Sequence, residues 1–273
     1  MSQPAEQTAT AEPILLREDA GGIATLTLNR PKQRNSLSGE LMVTLTEELH
    51  RVAEDSTIKA VVLAANGPAF CAGHDLKELT QARQAEDRGR AFFEQTMKQC
   101  STLMQTVMRS PKPVIARVHG IATAAGCQLV ASCDLAVAVE EAKFATPGVN
   151  IGLFCSTPMV ALSRNVTRKH AMEMLLTGEM VPAARAAEMG LVNRVVPADE
   201  LDAAVHHFAG LIASKSGLTV SIGKEAFYHQ LEMSVGDAYD YASEVMVRNM
   251  LARDAEEGIN AFIEKREPTW EDR

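Results

Sequence analysis

Two short runs of small residues are the places where this chain can do chemistry. One is Cys71-Ala72-Gly73-His74-Asp75; the other runs from Ala122 through Thr123, Ala124, Ala125, Gly126 and Cys127 to Gln128. Each follows a buried-looking strand and precedes residues with helical spacing, so each reads as a turn between the two. Small side chains let a ligand approach the backbone closely. The first turn of a helix also carries N–H groups with no intrahelical acceptor and a partial positive charge behind them. Such a place favours an anion, or a carbonyl oxygen that becomes negative as it reacts.

The elements that must position these turns can be read along the chain. Alternation over 14–28 predicts a hairpin with Gly21-Gly22 at its turn, ended by Pro31. Ser38 predicts the cap of a helix over 39–53, where Leu41, Leu45, Leu49 and Val52 recur on one face. Residues 60–65 suit a fully buried strand. After the first turn a helix starts at Asp75 or Leu76, and the spacing of Phe92, Phe93, Met97, Leu103 and Val107 predicts another over 84–108, stopped by Pro111 and Pro113. Val114, Ile115 and Val118 form a strand that breaks at Gly120 and leads directly into the second turn and its helix, with a further strand over 135–139. Residues 142–158 read as loop-rich. Short helices over 159–164, 168–176 and 183–189 and a strand over 192–196 follow, and beyond Ala198 only helices are predicted, the last over 255–265. The chain is thus read as a disordered tail over 1–12, an α/β body over 13–200 and a helical region over 201–273.

Composition bounds what this arrangement serves. With 273 residues, 46% hydrophobic and 23% charged, the chain has the make-up of an ordinary soluble globular protein. A net charge of -8 argues against nucleic acid or an anionic membrane as partner, while leaving room for a local basic patch around one phosphorylated ligand. No apolar run approaches the roughly 20 residues that span a bilayer. The first dozen residues hold two Glu and no Lys or Arg, unlike a signal or transit peptide, which suggests a cytoplasmic protein. Five cysteines without a CxxC pair suit reduced thiols, and seven histidines without ligand spacing indicate no metal.

Several ordered motifs together carry a family resemblance: NRPKQRNSLS from Asn29, AFCAGHDLKE, PVIARVHGIATAAGCQLVASCDLAVA, KFATPGVNIGL, LLTGE, AAEMGLVNRVVP and EGINAFIEKR near the end. The chain resembles the crotonase family of enoyl-CoA hydratases and isomerases, and within it the enoyl-CoA hydratase domain-containing branch. The resemblance implies a spiral of β-β-α units, a helical C-terminal trimerisation region, and homotrimers or hexamers. It also implies an acyl-CoA thioester as substrate or ligand, with no tightly bound cofactor, and stabilisation of an enolate by two backbone N–H groups. Motif to motif, those donors fall on His74 and Ala125.

A hydratase needs two carboxyl groups to add water across a double bond. The positions that match the family's two glutamates are Gln128 and Gly148, which puts ordinary two-glutamate hydration in doubt. Three replacements stand open. The His74 imidazole is one, against the reading that only its N–H matters. An external base near Thr146, Pro147 and Gly148 is another, as in naphthoate synthases of the same family that hold bicarbonate there. Cys155 is the third, as pocket lining or nucleophile, against a structural thiol. By the same resemblance Lys32 and Arg34 flank the adenosine phosphate and the backbone around Ala72 and Leu76 packs on adenine. Asp75 and Glu78 orient the turn or touch the CoA moiety, and Phe262 and Lys265 come from the last helix, often of a neighbouring subunit. The rivals are an isomerase, hydrolase or other enolate reaction using His74 or an external base, a non-catalytic acyl-CoA sensor, and RNA binding, which the acidic balance opposes.

Overall fold

The described residues, 12–273, begin with a hairpin whose turn needs glycine: Gly21 and Gly22 both take positive φ, 58° and 78°. In this computed structural model β1 (Leu15–Ala20) pairs antiparallel with β2 (Ile23–Leu28), Leu15 opposite Leu28. The tail expected over 1–12 lies, Glu12 apart, outside the described residues. Helix α1 (Gly39–Glu54) starts where expected, because the Ser38 hydroxyl accepts from the Leu41 N–H, and it buries Leu41, Leu45, Leu49 and Val52. Strand β3 (Ala60–Ala65) is buried along its whole length beside β2.

Next come β4 (Ala69–Cys71), α2 (Leu76–Ala82) and α3 (Arg90–Arg109). Helix α3 starts at Arg90 rather than 84, since the Asp87 carboxylate accepts from the N–H groups of Gly89 and Ala91 and builds a turn there, with Gly89 at φ 88°. The expected direct passage from strand to helix at the second turn is also corrected. After β5 (Val114–Val118) the chain makes a further strand, β6 (Ile121–Thr123), before α4 (Ala125–Ser132). Strands β7 (Leu135–Val139) and β8 (Lys143–Ala145) repeat the device, so the loop-rich segment also opens with a short strand. The rest is α5 (Pro158–Asn165), α6 (Arg168–Thr177), β9 (Val181–Pro182), α7 (Ala183–Met189), β10 (Arg194–Val196), α8 (Leu201–Ala213), α9 (Gly217–Gln230), α10 (Val235–Met250) and α11 (Arg253–Glu264).

Two sheets result. One has the order β1-β2-β3-β5-β7-β10 and is parallel from β2 onward; the smaller has the order β4-β6-β8-β9. Three times the chain passes from the large sheet to the small one and then into helix, a spiral of β-β-α units. Helix α8 packs on β2, β3, β5 and β7 and buries Leu201, Ala204, Val205 and Ala209. By contrast α9 and α10 bury no residue fully.

Helix α9 is tied to the spiral by Lys224, whose ammonium donates to the carbonyls of Val107 and Lys112 and to Asp134 Oδ2 at 2.7 Å. Tyr228 donates to the other Asp134 oxygen at 2.9 Å, and Val114 N–H to Oδ2 at 2.7 Å. Helix α11 is pinned by the last residues of the chain. Asp254 accepts from the N–H groups of Glu271 and Asp272, Trp270 Nε1 donates to the Ser214 carbonyl at 2.9 Å, and the Trp270 ring lies on Gly258.

Candidate functional site

The first turn is zipped to the segment 34–37. Ala72 N–H donates to the Arg34 carbonyl, Leu37 N–H to the Gly73 carbonyl and Asp75 N–H to the Leu37 carbonyl. In such a parallel bridge Leu37 bonds the residues on either side of His74, which aims the His74 N–H away from that segment. No backbone acceptor meets it among the described residues. The segment 34–37 is itself shaped by Arg34 and Asn35, both at positive φ, 50° and 53°. The buried Asn35 side chain accepts from Arg30 N–H and donates to the carbonyls of Asn66 and Ala69.

The second turn hangs from β8 through Ala124 N–H, which donates to the Ala145 carbonyl at 2.9 Å. Ala124 has φ 51° and ψ -119°, a conformation ordinarily left to glycine. Ala125 then opens α4 with its N–H lacking a backbone acceptor among the described residues, while Gln128 N–H closes the first helical bond to the Ala124 carbonyl. Gly126 must be glycine: a β-carbon there would stand 2.1 Å from the Cys71 carbonyl oxygen, so the start of α4 rests on β4. Gly73, at φ 94°, would likewise place a β-carbon 2.9 Å from the Ala124 methyl and 3.4 Å from Ala125 nitrogen. The fold thus brings His74 and Ala125 together on touching turns.

Around them the polar groups are mostly neutral. Gln128 is 5% exposed, and its Oε1 accepts from the Cys100 thiol at 3.8 Å. Among the described residues both ring nitrogens of His74 are buried without a hydrogen-bond partner, and so is the Thr146 hydroxyl. Burial lowers the His74 pKa, the nearby Leu37 carbonyl opposing it, which keeps the ring neutral. At Gly148 a β-carbon would meet the Leu153 carbonyl oxygen at 2.6 Å and Cys155 Sγ at 2.9 Å. Backbone and thiol thus crowd the place a β-carbon would take at Gly148. Cys155 accepts from Gly148 N–H at 3.3 Å; burial raises its pKa, against the opposing Gly148 bond, as for a structural thiol.

Asp75 caps α2 through Lys77 N–H and pairs with Arg30 at 3.0 Å, with the Ser36 hydroxyl as a third partner. Burial pushes its pKa up, but the Arg30 guanidinium, the Lys77 N–H and the Ser36 hydroxyl together hold it below the usual carboxylate value. Glu78 accepts from Gly39 N–H and so caps α1. Lys32 and Arg34 are exposed and make no ion pair among the described residues; Leu76 is 53% exposed at the start of α2. Phe262, 86% exposed, and Lys265 sit at the end of α11, which packs on α9 and α10. Three cavities of about 340, 350 and 460 Å³ lie away from the turns, along α1 and α3 and beside Lys224 and Tyr228.

Sequence reasoning missed Arg30, Asn35 and Cys100. Asn35 offered a signal, as a residue that tolerates positive φ beside a proline-bearing turn. Cys100 offered none, because it meets Gln128 from a different helix.

The family model described as Enoyl-CoA hydratase/isomerase matches residues 18–273. The chain belongs to the enoyl-CoA hydratase/isomerase family. Within that family it is similar to human enoyl-CoA hydratase domain-containing protein 3, mitochondrial, at 48% identity over 91% of this chain and 80% of that protein. The crystal structure of the human protein superposes with a TM-score of 0.90 at 46% identity, covering 94% of this chain and 100% of that one. An enoyl-CoA hydratase structure from Mycobacterium smegmatis gives a TM-score of 0.90 at 52% identity, covering 95% and 99%. The crotonase fold and the domain-containing branch expected from sequence are therefore those of this chain. The cytoplasmic expectation is corrected, because the vertebrate relatives of this enoyl-CoA hydratase/isomerase family member, human and rat among them, are named mitochondrial. That expectation leaned on the composition of the first dozen residues, which does not fix a compartment, and buried reduced thiols suit any reducing one.

Proposed function

We propose that this protein binds an acyl-CoA thioester with the thioester oxygen between the N–H groups of His74 and Ala125, which stabilise negative charge on it as an enolate or tetrahedral adduct forms. The observation that carries this reading is the contact between the two turns at Gly73 and Ala124, with an N–H on each turn left without a backbone acceptor among the described residues. Lys32 and Arg34, exposed and unpaired among the described residues, supply cations for the CoA phosphates. Two-glutamate hydration is not part of the proposal, since the Gln128 amide does not titrate near neutral pH and so cannot act as acid or base, and Gly148 has no side chain.

The exposed apolar residues of α9 to α11, Phe227, Leu231, Tyr239, Met246, Ile259 and Phe262 among them, support a homo-oligomer in which a neighbouring α11 brings Phe262 and Lys265 to the site. Calorimetric titration with butyryl-CoA and with free CoA tests the reading: the thioester binds with a dissociation constant below about 100 μM, and crotonyl-CoA is hydrated with kcat below about 1 per second. Failure to bind any acyl-CoA overturns the binding half, and faster hydration overturns the exclusion.

A second reading, other enolate chemistry with His74 as the base, is favoured by the unpartnered neutral imidazole. Solvent deuterium exchange at the α-carbon of butyryl-CoA that is lost in His74→Gln supports it; no exchange in the native protein removes it.

A further inference from the structure

Resting on that binding site, we infer that Gln128 is a specificity-determining residue that selects 3-oxoacyl thioesters, through a fixed side-chain N–H donor aimed at an oxygen on the β-carbon. Gln128 lies three residues after Ala125, about 4.5 Å of helix rise along α4, and side chains on a helix lean toward its N-terminus. Its amide is therefore carried back along the face where Ala125 presents its N–H, at the distance that separates a thioester carbonyl from a substituent two carbons along the acyl chain.

Which way the amide faces is set by Cys100. Burial pushes that thiol up to about 12, so at neutral pH it is an S–H donor, and the amide turns its oxygen to it. The NH₂ end is left with no partner among the described residues and, unlike the Thr146 hydroxyl, it is not sealed from solvent. A side chain 5% exposed whose free end presents donors is complementary to a pure acceptor. A 3-oxo group supplies one. A 3-hydroxyl also brings an O–H, for which the free NH₂ end of the Gln128 amide offers no acceptor, and an unpaired buried donor is costly. A saturated chain leaves the amide itself unpaired.

The test is calorimetric titration of the full chain with acetoacetyl-CoA, both enantiomers of 3-hydroxybutyryl-CoA, and butyryl-CoA. The expected order of affinity is acetoacetyl, then hydroxybutyryl, then butyryl, with at least a tenfold ratio between the first and last. Gln128→Leu, which keeps the site apolar and filled, brings that ratio below about twofold, and Cys100→Ala lowers it severalfold by freeing the amide to turn. Equal affinities in the native protein overturn this inference while leaving acyl-CoA binding in place. A ratio unchanged in Gln128→Leu overturns it equally. If no thioester binds, the proposed function falls and this inference with it.

Discussion

Gly73 and Ala124 touch: a β-carbon on Gly73 would reach to 2.9 Å of the Ala124 methyl, and Gly73 holds φ 94°. Gly73→Ala therefore meets both a steric clash and a disfavoured backbone. It is expected to cost roughly 2–4 kcal/mol, read as a lower urea midpoint, and to weaken butyryl-CoA binding at least tenfold by parting the turns.

Ala124 carries the opposite case. At φ 51° and ψ -119° its methyl group is held where glycine sits without strain. Ala124→Gly is expected to stabilise the protein by about 0.5–1.5 kcal/mol, strain relief exceeding the added freedom of the unfolded chain. For a chain of this size that corresponds to a rise in Tm of a few degrees, measurable by calorimetry.

Restoring the two acids is not expected to restore a hydratase. Gly148→Glu drives its β-carbon against the Leu153 carbonyl and Cys155 Sγ, so the double variant with Gln128→Glu loses roughly 1–3 kcal/mol or more. Loss of crotonyl-CoA enoyl absorbance, followed alongside urea unfolding, checks both halves: unfolding shifts early and hydration stays below about 1 per second.

Lys224 is 7% exposed and satisfies Asp134 together with two carbonyls of the spiral. Lys224→Met leaves the partly buried Asp134 charge with Tyr228 and Val114 as its remaining partners among the described residues. An expected loss of about 3–5 kcal/mol follows, seen in denaturant unfolding, with α9 freed for faster amide exchange.

The buried His74 ring gives a pH dependence with a definite sign. Its pKa in the folded protein is lowered from 6.5 by burial, so the unfolded chain takes up a proton first as pH falls. The stability it contributes is complete above about 6.5 and is lost as pH falls toward the folded value. Urea midpoints at pH 7.5 and 5.5 check this: the native protein drops between them, and His74→Gln drops less.

Much of the fold was legible because its signals are local. Ser38 capped α1 as expected, β3 was a run of six apolar residues, and Ala183–Met189 formed the helix its spacing indicated. Strands β4, β6 and β8, three residues each, escaped, since so short a run has no periodicity and exists only through its partners in the small sheet. The site divides in the same way. His74, Ala125, Gln128 and Gly148 stood in ordered motifs, whereas the contact of Cys100 with Gln128 is tertiary and that of Cys155 with Gly148 depends on the path of an irregular loop. Asp75 and Glu78 prove to be helix caps, roles that their place in the motif allowed but did not choose.

The docking of Trp270 on Gly258 has a practical consequence, because the chain has a single tryptophan. Indole emission therefore reports on one place, where the end of the chain clasps α11 to the carbonyl of Ser214. Unfolding followed by that light and by far-ultraviolet dichroism coincides only if the clasp and the spiral let go together. A lag between the two curves would time the release of the helical arm against the collapse of the sheets.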